Sequence, residues 1–179
     1  MRPSTADVER RLALAIRSIA DHPKPGITFR DITTLLGDAE AFAAAVDAMA
    51  APYGDDNIDL VVGVESRGFV LGAPVAYVLG AGFVPARKQG RLPAATISIA
   101  YALEYGEAVL EVHTDSITRG QRVLIVDDLL ATGGTAAATI RLVEQLGGVV
   151  AALAFLVELI DLKGAEALGG HRHTSLITF

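Results

Sequence analysis

The chain of 179 residues contains no cysteine, so neither disulfides nor thiolate metal sites can contribute to its structure. Its 15 Lys and Arg residues are outnumbered by 21 Asp and Glu residues, and no basic stripe runs along it. Because nucleic-acid binding depends on clustered positive charge, we do not expect nucleic acid as a partner. Asp7, Glu9, Arg10 and Arg11 stand where a signal peptide has its apolar segment, which predicts a cytoplasmic protein.

Charged residues are absent from residues 68–86, nearly the length of a membrane span. Four glycines and two prolines interrupt this segment. We therefore predict no membrane helix, but a buried helix from about Phe69, a turn at 80–82 and a short buried strand into Arg87.

Apolar runs at residues 60–64, 123–126 and 149–157 are typical of strands buried on both faces. Helix-favouring segments separate these runs, and residues 174–179 predict a final strand. The alternation predicts an α/β fold with a mainly parallel, doubly wound sheet and helices on both faces, in a single domain over residues 1–179. Ligands of such sheets bind beyond the carboxyl ends of the strands.

Two helices are predicted before the first of these strands. The first is capped by Ser4 or Thr5, has an apolar face that continues to Ile19, and ends before Pro23. Asp38 caps the second helix.

The chain is organised around residues 123–135, which read VLIVDDLLATGGT. An apolar strand leads to Asp127 and Asp128, and a turn with two glycines between threonines leads into a helix. The N–H groups of such a turn and of a helix N-terminus favour an anion. Gly134 stands where a Walker A loop needs Lys, and acids stand where a dinucleotide fingerprint needs glycines. What remains is a loop for a monophosphate beside two carboxylates that could hold a sugar diol and, through water, Mg²⁺.

In this segment the sequence resembles the phosphoribosyl-diphosphate (PRPP) motif of the type I phosphoribosyltransferases, and residues 129–135 resemble its adenine-using members. The resemblance covers nearly the whole chain. It implies transfer of ribose 5-phosphate from PRPP to adenine with Mg²⁺, giving AMP and pyrophosphate. It also implies a homodimer, for which the apolar content of 51% is a second reason.

The resemblance assigns the 5′-phosphate to the glycine-containing loop, whose residues are Ala131, Thr132, Gly133, Gly134 and Thr135. It assigns Asp127 and Asp128 to the ribose hydroxyls, with Mg²⁺ held indirectly between ribose and pyrophosphate oxygens. Adjacent side chains of a strand point to opposite faces. We therefore expect the strand to end at these two acids, as the family pattern implies.

Two cationic turns are candidates for binding pyrophosphate, one after strand 60–64 and one at the end of the next strand. Gly68 in the first turn would let backbone N–H groups approach the anion, and the family often holds a non-proline cis peptide there. Arg91 could equally be a solvated surface cation. The candidates are Ser66, Arg67, Gly68, Arg87, Lys88 and Arg91.

Ala131 bears on the choice of base, because family members for 6-oxopurines usually carry Asp at this position. The resemblance therefore favours adenine, which a hood over residues 22–36 would bind through backbone groups and one aromatic ring, with an apolar side chain opposite. The adenine-binding candidates are Thr28, Phe29, Arg30 and Leu129.

Residues 88 to about 98 are interrupted by Gly, Pro and cations and predict a flexible loop, framed by two extended pieces, one ending near Tyr101 and one over residues 109–112. With the family resemblance, the flexible loop extends over residues 88–105. The end of this segment, including Tyr105, resembles a loop that closes over the site in the family. Glu104 is the family's candidate for handling the proton of the base; otherwise it is an exposed loop carboxylate. The sequence departs from the family at Ala94 and Ala102, where Gly and Ser are usual.

His171 and His173 are spaced like a pair of metal ligands, but the pattern is more typical of a solvated turn.

Three other functions stay open from the sequence. One is a phosphoribosyltransferase for another purine, such as xanthine or hypoxanthine, which Ala131 disfavours. Another is a non-catalytic regulator that senses PRPP, which would usually carry a basic DNA-binding segment. The third is a pyrophosphokinase that makes PRPP, which would need an ATP site and a longer chain.

Overall fold

The computed structural model describes residues 5–102 and 107–179. The chain divides into two compact units, one up to Ala48 and one from Met49 to Phe179. A single domain over residues 1–179 stays a prediction.

The first unit consists of helices and a small hairpin. Helix α1 covers Thr5–Ala15, and strand β1 (Arg17–Ile19) pairs antiparallel with β2 (Phe29–Asp31). Helix α2 covers Thr33–Leu36, and α3 (Ala39–Ala50) begins in this unit. Asp38 Oδ1 accepts the N–H groups of residues 40 and 41, each at 3.0 Å, which confirms the predicted cap.

The prediction that the first helix continues to Ile19 is wrong, because the helix ends at Ala15. Residues 17–19 instead pair with β2, where Arg17 stands opposite Asp31. The guanidinium of Arg17 donates to Asp31 Oδ2 at 2.6 Å. Backbone pairing and this ion pair, made with residues far along the sequence, replace the helical hydrogen bonds.

The second unit contains a seven-stranded sheet, two helices and three short 3₁₀ turns. The strands are β3 (Leu60–Val64), β4 (Gly82–Lys88), β5 (Thr96–Ala102), β6 (Glu107–His113), β7 (Arg122–Leu130), β8 (Val149–Glu158) and β9 (His173–Thr178). The helices are α4 (Arg67–Leu79) and α5 (Gly134–Gln145), and the turns are Ala51–Tyr53, Ile160–Leu162 and Gly164–Leu168.

The strand order is β5-β6-β4-β3-β7-β8-β9. Strands β4, β3, β7, β8 and β9 are parallel, whereas β5 and β6 pair antiparallel. The predicted mainly parallel sheet is therefore confirmed.

The sheet has a helix on each face because neighbouring residues of a strand point to opposite sides. Ile125 of β7 belongs to the apolar cluster that also contains Leu142 of α5. Val126 lies on the other face, where its Cβ is 3.5 Å from the position that a Cβ on Gly72 of α4 would take. The prediction of helices on both faces is confirmed.

Helix α4 begins at Arg67, two residues before the predicted start, and it is only half buried. Leu71 and Val75 are buried, but Tyr77 is 87% exposed. The expectation of a buried helix is therefore wrong for one of its faces. Among the residues that the structure describes, no helix has both the length and the apolar content to cross a membrane.

Part of the predicted loop at 88–105 is a strand. Residues 96–102 pair with β6, from Thr96 opposite His113 to Ala102 opposite Glu107. The two extended pieces predicted beside the loop are therefore confirmed as β5 and β6. Of the predicted loop, the connection 89–95 remains, and residues 103–105 lie outside the described residues.

Candidate active site

A cavity of about 540 Å³ opens at the carboxyl ends of β3 and β7. Its lining brings together the glycine-containing loop, the acidic pair and residues from both predicted cationic turns. The lining residues are Val64, Glu65, Ser66, Arg67, Lys88, Tyr101, Ala108, Asp127, Asp128, Leu129, Leu130, Ala131, Thr132, Gly133, Gly134, Thr135 and Ala136.

The expected end of the strand at Asp127 and Asp128 is wrong, because β7 continues to Leu130. Its pairing with β8 extends to this residue, whereas its pairing with β3 stops at Val126. Because β3 no longer pairs with β7 beyond Val126, open space remains beside both acids. Both therefore line one cavity although their strand has not ended.

The acidic pair is held by Arg67. Its Nε lies 3.1 Å from Oδ2 of Asp128, which is 6% exposed. The Asp128 N–H donates to Asp127 Oδ1 at 2.9 Å. Burial and the neighbouring carboxylate of Asp128 raise the pKa of Asp127 well above its usual value. Burial also raises the pKa of Asp128, although Arg67 opposes this.

The loop at residues 131–135 lines the cavity and leads into α5. Gly133 takes a left-handed conformation, with φ of +81°, immediately before α5. Its carbonyl accepts the Ala137 N–H at 2.9 Å, so the helical hydrogen bonds start here. The N–H groups of the first turn remain available to an anion, in line with the partial positive charge of a helix N-terminus.

A second glycine, Gly164, supports this loop from outside the motif. A Cβ on Gly164 would lie 2.2 Å from the Ala131 carbonyl oxygen. A Cβ on Gly133 would lie 2.4 Å from the Gly164 carbonyl oxygen. The backbones of the loop and of Gly164 can approach this closely because Gly133 and Gly164 have no side chains. The sequence analysis did not identify Gly164, because nothing local marks it.

The turn after β3 places Ser66 and Arg67 in the cavity lining, and its Glu65–Ser66 peptide bond is cis. Gly68 is buried, and a Cβ there would lie 2.8 Å from Asp127 Oδ1. Gly68 therefore lets the start of α4 approach the acidic pair. The sequence analysis did not predict this close approach to Asp127, which is a second reason for glycine at position 68.

Lys88 lines the cavity, while Arg87 and Arg91 are not among the lining residues that the structure describes. The Arg87 guanidinium donates from Nε to Glu65 Oε2 at 3.1 Å and from Nη1 to the Arg91 carbonyl at 2.9 Å. Burial raises the pKa of Glu65, but Arg87, the Lys88 N–H and Arg91 together hold it below its usual value.

The hood candidates lie in the first unit. The Phe29 ring packs edge-on against His22, with centroids 5.3 Å apart, and Arg30 Nη1 donates to Ser18 Oγ at 2.5 Å. Thr28 immediately precedes strand β2.

Two further candidates, Glu104 and Tyr105, lie outside the described residues. The sequence analysis missed six lining residues, which are Val64, Leu130, Ala136, Glu65, Tyr101 and Ala108. The last two face each other across the β5–β6 pairing, which could not be aligned from the sequence alone.

His171 and His173 each lie near a different carboxylate. His171 Nε2 lies 3.6 Å from Glu144 Oε1, and His173 Nε2 lies 3.9 Å from Glu158 Oε2. Within residues 5–102 and 107–179, no group of three potential metal-binding side chains is assembled.

Comparisons with known proteins agree on one family. The model of the phosphoribosyl transferase domain matches residues 33–167. The chain is 57% identical over 164 residues to the adenine phosphoribosyltransferase of Clostridium perfringens, which covers 92% of this chain and 95% of that protein. With Desulfitobacterium hafniense adenine phosphoribosyltransferase the identity is 58% over the same shares of the two chains.

Solved structures agree with this result. The crystal structure of adenine phosphoribosyltransferase from Thermoanaerobacter pseudethanolicus has a TM-score of 0.92 and 51% identity, covering 96% of this chain and 99% of that one. The enzyme from Saccharomyces cerevisiae, complexed with an imino-altritol bisphosphate and adenine, has a TM-score of 0.90 and 38% identity, over 96% and 99% of the two chains.

Proposed function

The chain belongs to the phosphoribosyl transferase family, and we propose that it transfers ribose 5-phosphate from PRPP to adenine, giving AMP and pyrophosphate in purine salvage. The resemblance found in the sequence is confirmed by a relative that is named adenine phosphoribosyltransferase and is 57% identical to this chain. The observation that carries the proposal is the single cavity shared by the acidic pair, the glycine-containing loop, Arg67 and Lys88.

The reaction breaks the bond between the anomeric carbon of ribose and pyrophosphate, and its transition state should resemble an oxocarbenium ion. Residues 131–135 anchor the 5′-phosphate through backbone N–H groups. Asp127 and Asp128 bind the ribose hydroxyls through hydrogen bonds, and Asp128, which is paired with Arg67, places negative charge near the cationic sugar. Arg67 and Lys88 neutralise the leaving pyrophosphate, with Arg87 and Arg91 adding positive charge at the same end.

The donors at the acidic pair suit Mg²⁺, which prefers oxygen ligands and keeps several waters. The two carboxyl groups would hold the ion indirectly, through water. When bound, Mg²⁺ adds positive charge at the leaving group.

Adenine is favoured by Ala131, which offers no carboxylate to the base. Leu129 lines the cavity with an apolar side chain. We assign Thr28, Phe29 and Arg30 to the hood from the sequence resemblance. We assign the proton of the base to Glu104, and Tyr105 to the same closing loop, both from the sequence resemblance.

Purified protein with PRPP, Mg²⁺ and one purine at a time provides the test, with pyrophosphate release as the measurement. We expect release with adenine and much slower release with hypoxanthine, xanthine or guanine. Release with a 6-oxopurine alone would favour the other purine phosphoribosyltransferases. PRPP binding without release for any purine would favour a regulator.

The protein is further proposed to be a cytoplasmic homodimer. The exposed apolar side chains of α4, Val70, Tyr77 and Val78, support the dimer, because apolar surface of this kind favours burial at an interface.

A further inference from the structure

Glu111 is a buried carboxylate that lies outside the cavity lining described above. It is 4% exposed and stands on β6. Its Oε1 accepts the N–H groups of Arg91 and Leu92, each at 3.2 Å, and its Oε2 lies 3.4 Å from Thr96 Oγ1. A carboxylate is costly to bury unless hydrogen bonds compensate. Glu111 therefore holds the connection 89–95 against the sheet.

The hydrogen bonds continue from this connection to the cavity. The Arg91 carbonyl accepts Arg87 Nη1 at 2.9 Å, and Arg87 Nε donates to Glu65 Oε2 at 3.1 Å. The same Glu65 oxygen accepts the Lys88 N–H at 3.0 Å. Arg87 also stands directly opposite Glu111 in the β4–β6 pairing. A continuous chain of contacts thus joins Glu111 to Glu65 and Lys88, both of which line the cavity.

We infer that Glu111 is a positioning residue for the pyrophosphate end of the site. It sets the backbone of Arg91, whose carbonyl orients the Arg87 guanidinium, and Arg87 in turn orients Glu65 and the start of the cationic turn. Arg87 is long and flexible, so two fixed acceptors reduce the freedom that substrate binding would otherwise have to remove. The inference rests on the proposed function, because it assigns Glu111 to the binding of PRPP.

The test compares two substitutions of different chemistry. Glu111→Leu fills a similar volume but offers no acceptor, and we expect the KM for PRPP to rise about tenfold, as for the loss of a charged hydrogen bond. The KM for adenine should stay within about twofold. Glu111→Gln keeps an acceptor oxygen, so its KM for PRPP should stay within about threefold of wild type.

Amide hydrogen exchange gives a readout that does not depend on activity. The Arg91 and Leu92 amides should exchange much faster in Glu111→Leu than in wild type, and Glu111→Gln should restore most of their protection. If the wild type releases no pyrophosphate, the proposed function fails. Separately, if exchange at these two amides is the same in Glu111→Leu and wild type, Glu111 does not hold the connection 89–95.

Tyr53→Phe is the matched control for lost stability. It removes a buried hydroxyl that contacts the Leu153 carbonyl at 2.9 Å and Thr174 Oγ1 at 2.7 Å, none of which belongs to the chain of contacts. We expect Tyr53→Phe to lower the melting temperature without raising the KM for PRPP. The inference is overturned if the KM for PRPP rises as much in Tyr53→Phe as in Glu111→Leu. It is also overturned if the KM for adenine rises as much as the KM for PRPP in Glu111→Leu.

If Glu111→Leu does not fold, Glu111→Asp takes its place. Its carboxylate is one methylene shorter and reaches the two amides less well. It should raise the KM for PRPP selectively, and an unchanged value would overturn the inference.

Discussion

Arg67 Nε lies 3.1 Å from Oδ2 of Asp128, so a cation from the turn after β3 is bound to an acid of β7 across the floor of the cavity. Arg67 begins α4 after the turn that follows β3, and Asp128 stands on β7, the neighbour of β3 in the sheet, 61 positions further along the sequence. This contact places the guanidinium that we propose for the leaving pyrophosphate beside the carboxyl group that we propose for the ribose.

Asp128→Asn should lower turnover about 100-fold or more, because the substitution removes a charge aimed at the reacting sugar. Thermal stability should stay near that of wild type, since Arg67 is about one-third exposed and can be hydrated. Steady-state rates with PRPP and adenine and a melting curve measure both effects. Asp115→Asn, at an exposed position, is the matched control. Activity equal to that of the control would remove Asp128 from the site.

Asp127→Asn should inactivate the enzyme and raise its melting temperature at pH 7. The pKa of Asp127 is raised in the folded protein by burial and by Asp128, so folding favours the protonated form. The folded state therefore loses stability as pH rises above the unfolded value of this carboxyl group, and Asn removes that cost. Melting temperatures from pH 7 downwards should show the advantage of Asn shrinking as wild-type Asp127 takes up its proton. If Asp127→Asn melts at a lower temperature than wild type at every pH, the raised pKa of Asp127 is contradicted.

Gly164→Ala should weaken PRPP binding about tenfold or more by displacing the phosphate loop. The new Cβ would lie 2.2 Å from the Ala131 carbonyl, and overpacking of this kind typically costs about 1–3 kcal/mol. Gly54→Ala is the control, because its Cβ would have only one neighbour, at 3.9 Å. The KM for PRPP is the measurement, and equal values in the two variants would show that the loop tolerates the shift.

Glu104→Gln should slow the chemical step by a factor of 10² to 10⁴, the usual contribution of general acid–base catalysis. This prediction rests on the sequence resemblance, because Glu104 lies outside the described residues. Single-turnover rates are the proper measurement, since product release can mask chemistry in steady state. A loss below about threefold would mean that the proton leaves by another route.

The protein should have the mass of a dimer by light scattering at micromolar concentration. If α4 forms the interface, Tyr77→Arg should lower that mass, because the substitution places a charge on its exposed apolar face. Ile160→Arg, at a 56% exposed position in a 3₁₀ turn, should leave the mass unchanged. A monomeric wild type would refute the proposed dimer.

The sequence by itself determined the parts that depend on local chemistry. Residues 123–135 contain an apolar run, two acids, a turn with two glycines and a helix N-terminus in immediate succession, and each of these patterns can be recognised from its own residues. Apolar runs likewise predicted β3 and β8, since strands buried on both faces need such runs. Through the family resemblance, Ala131 also favoured adenine, because family members for 6-oxopurines usually carry Asp at this position.

Tertiary structure alone decided which distant segments meet. Strand β7 continues to Leu130 because β8 pairs with it there, and its acids share a cavity because β3 has departed. Helix α1 stops at Ala15 because residues 17–19 pair with a strand ten positions further on. Gly164 supports Ala131, and Glu111 holds Arg91, across 33 and 20 positions. Such contacts depend on register and on backbone approach, which no local pattern of residue types encodes.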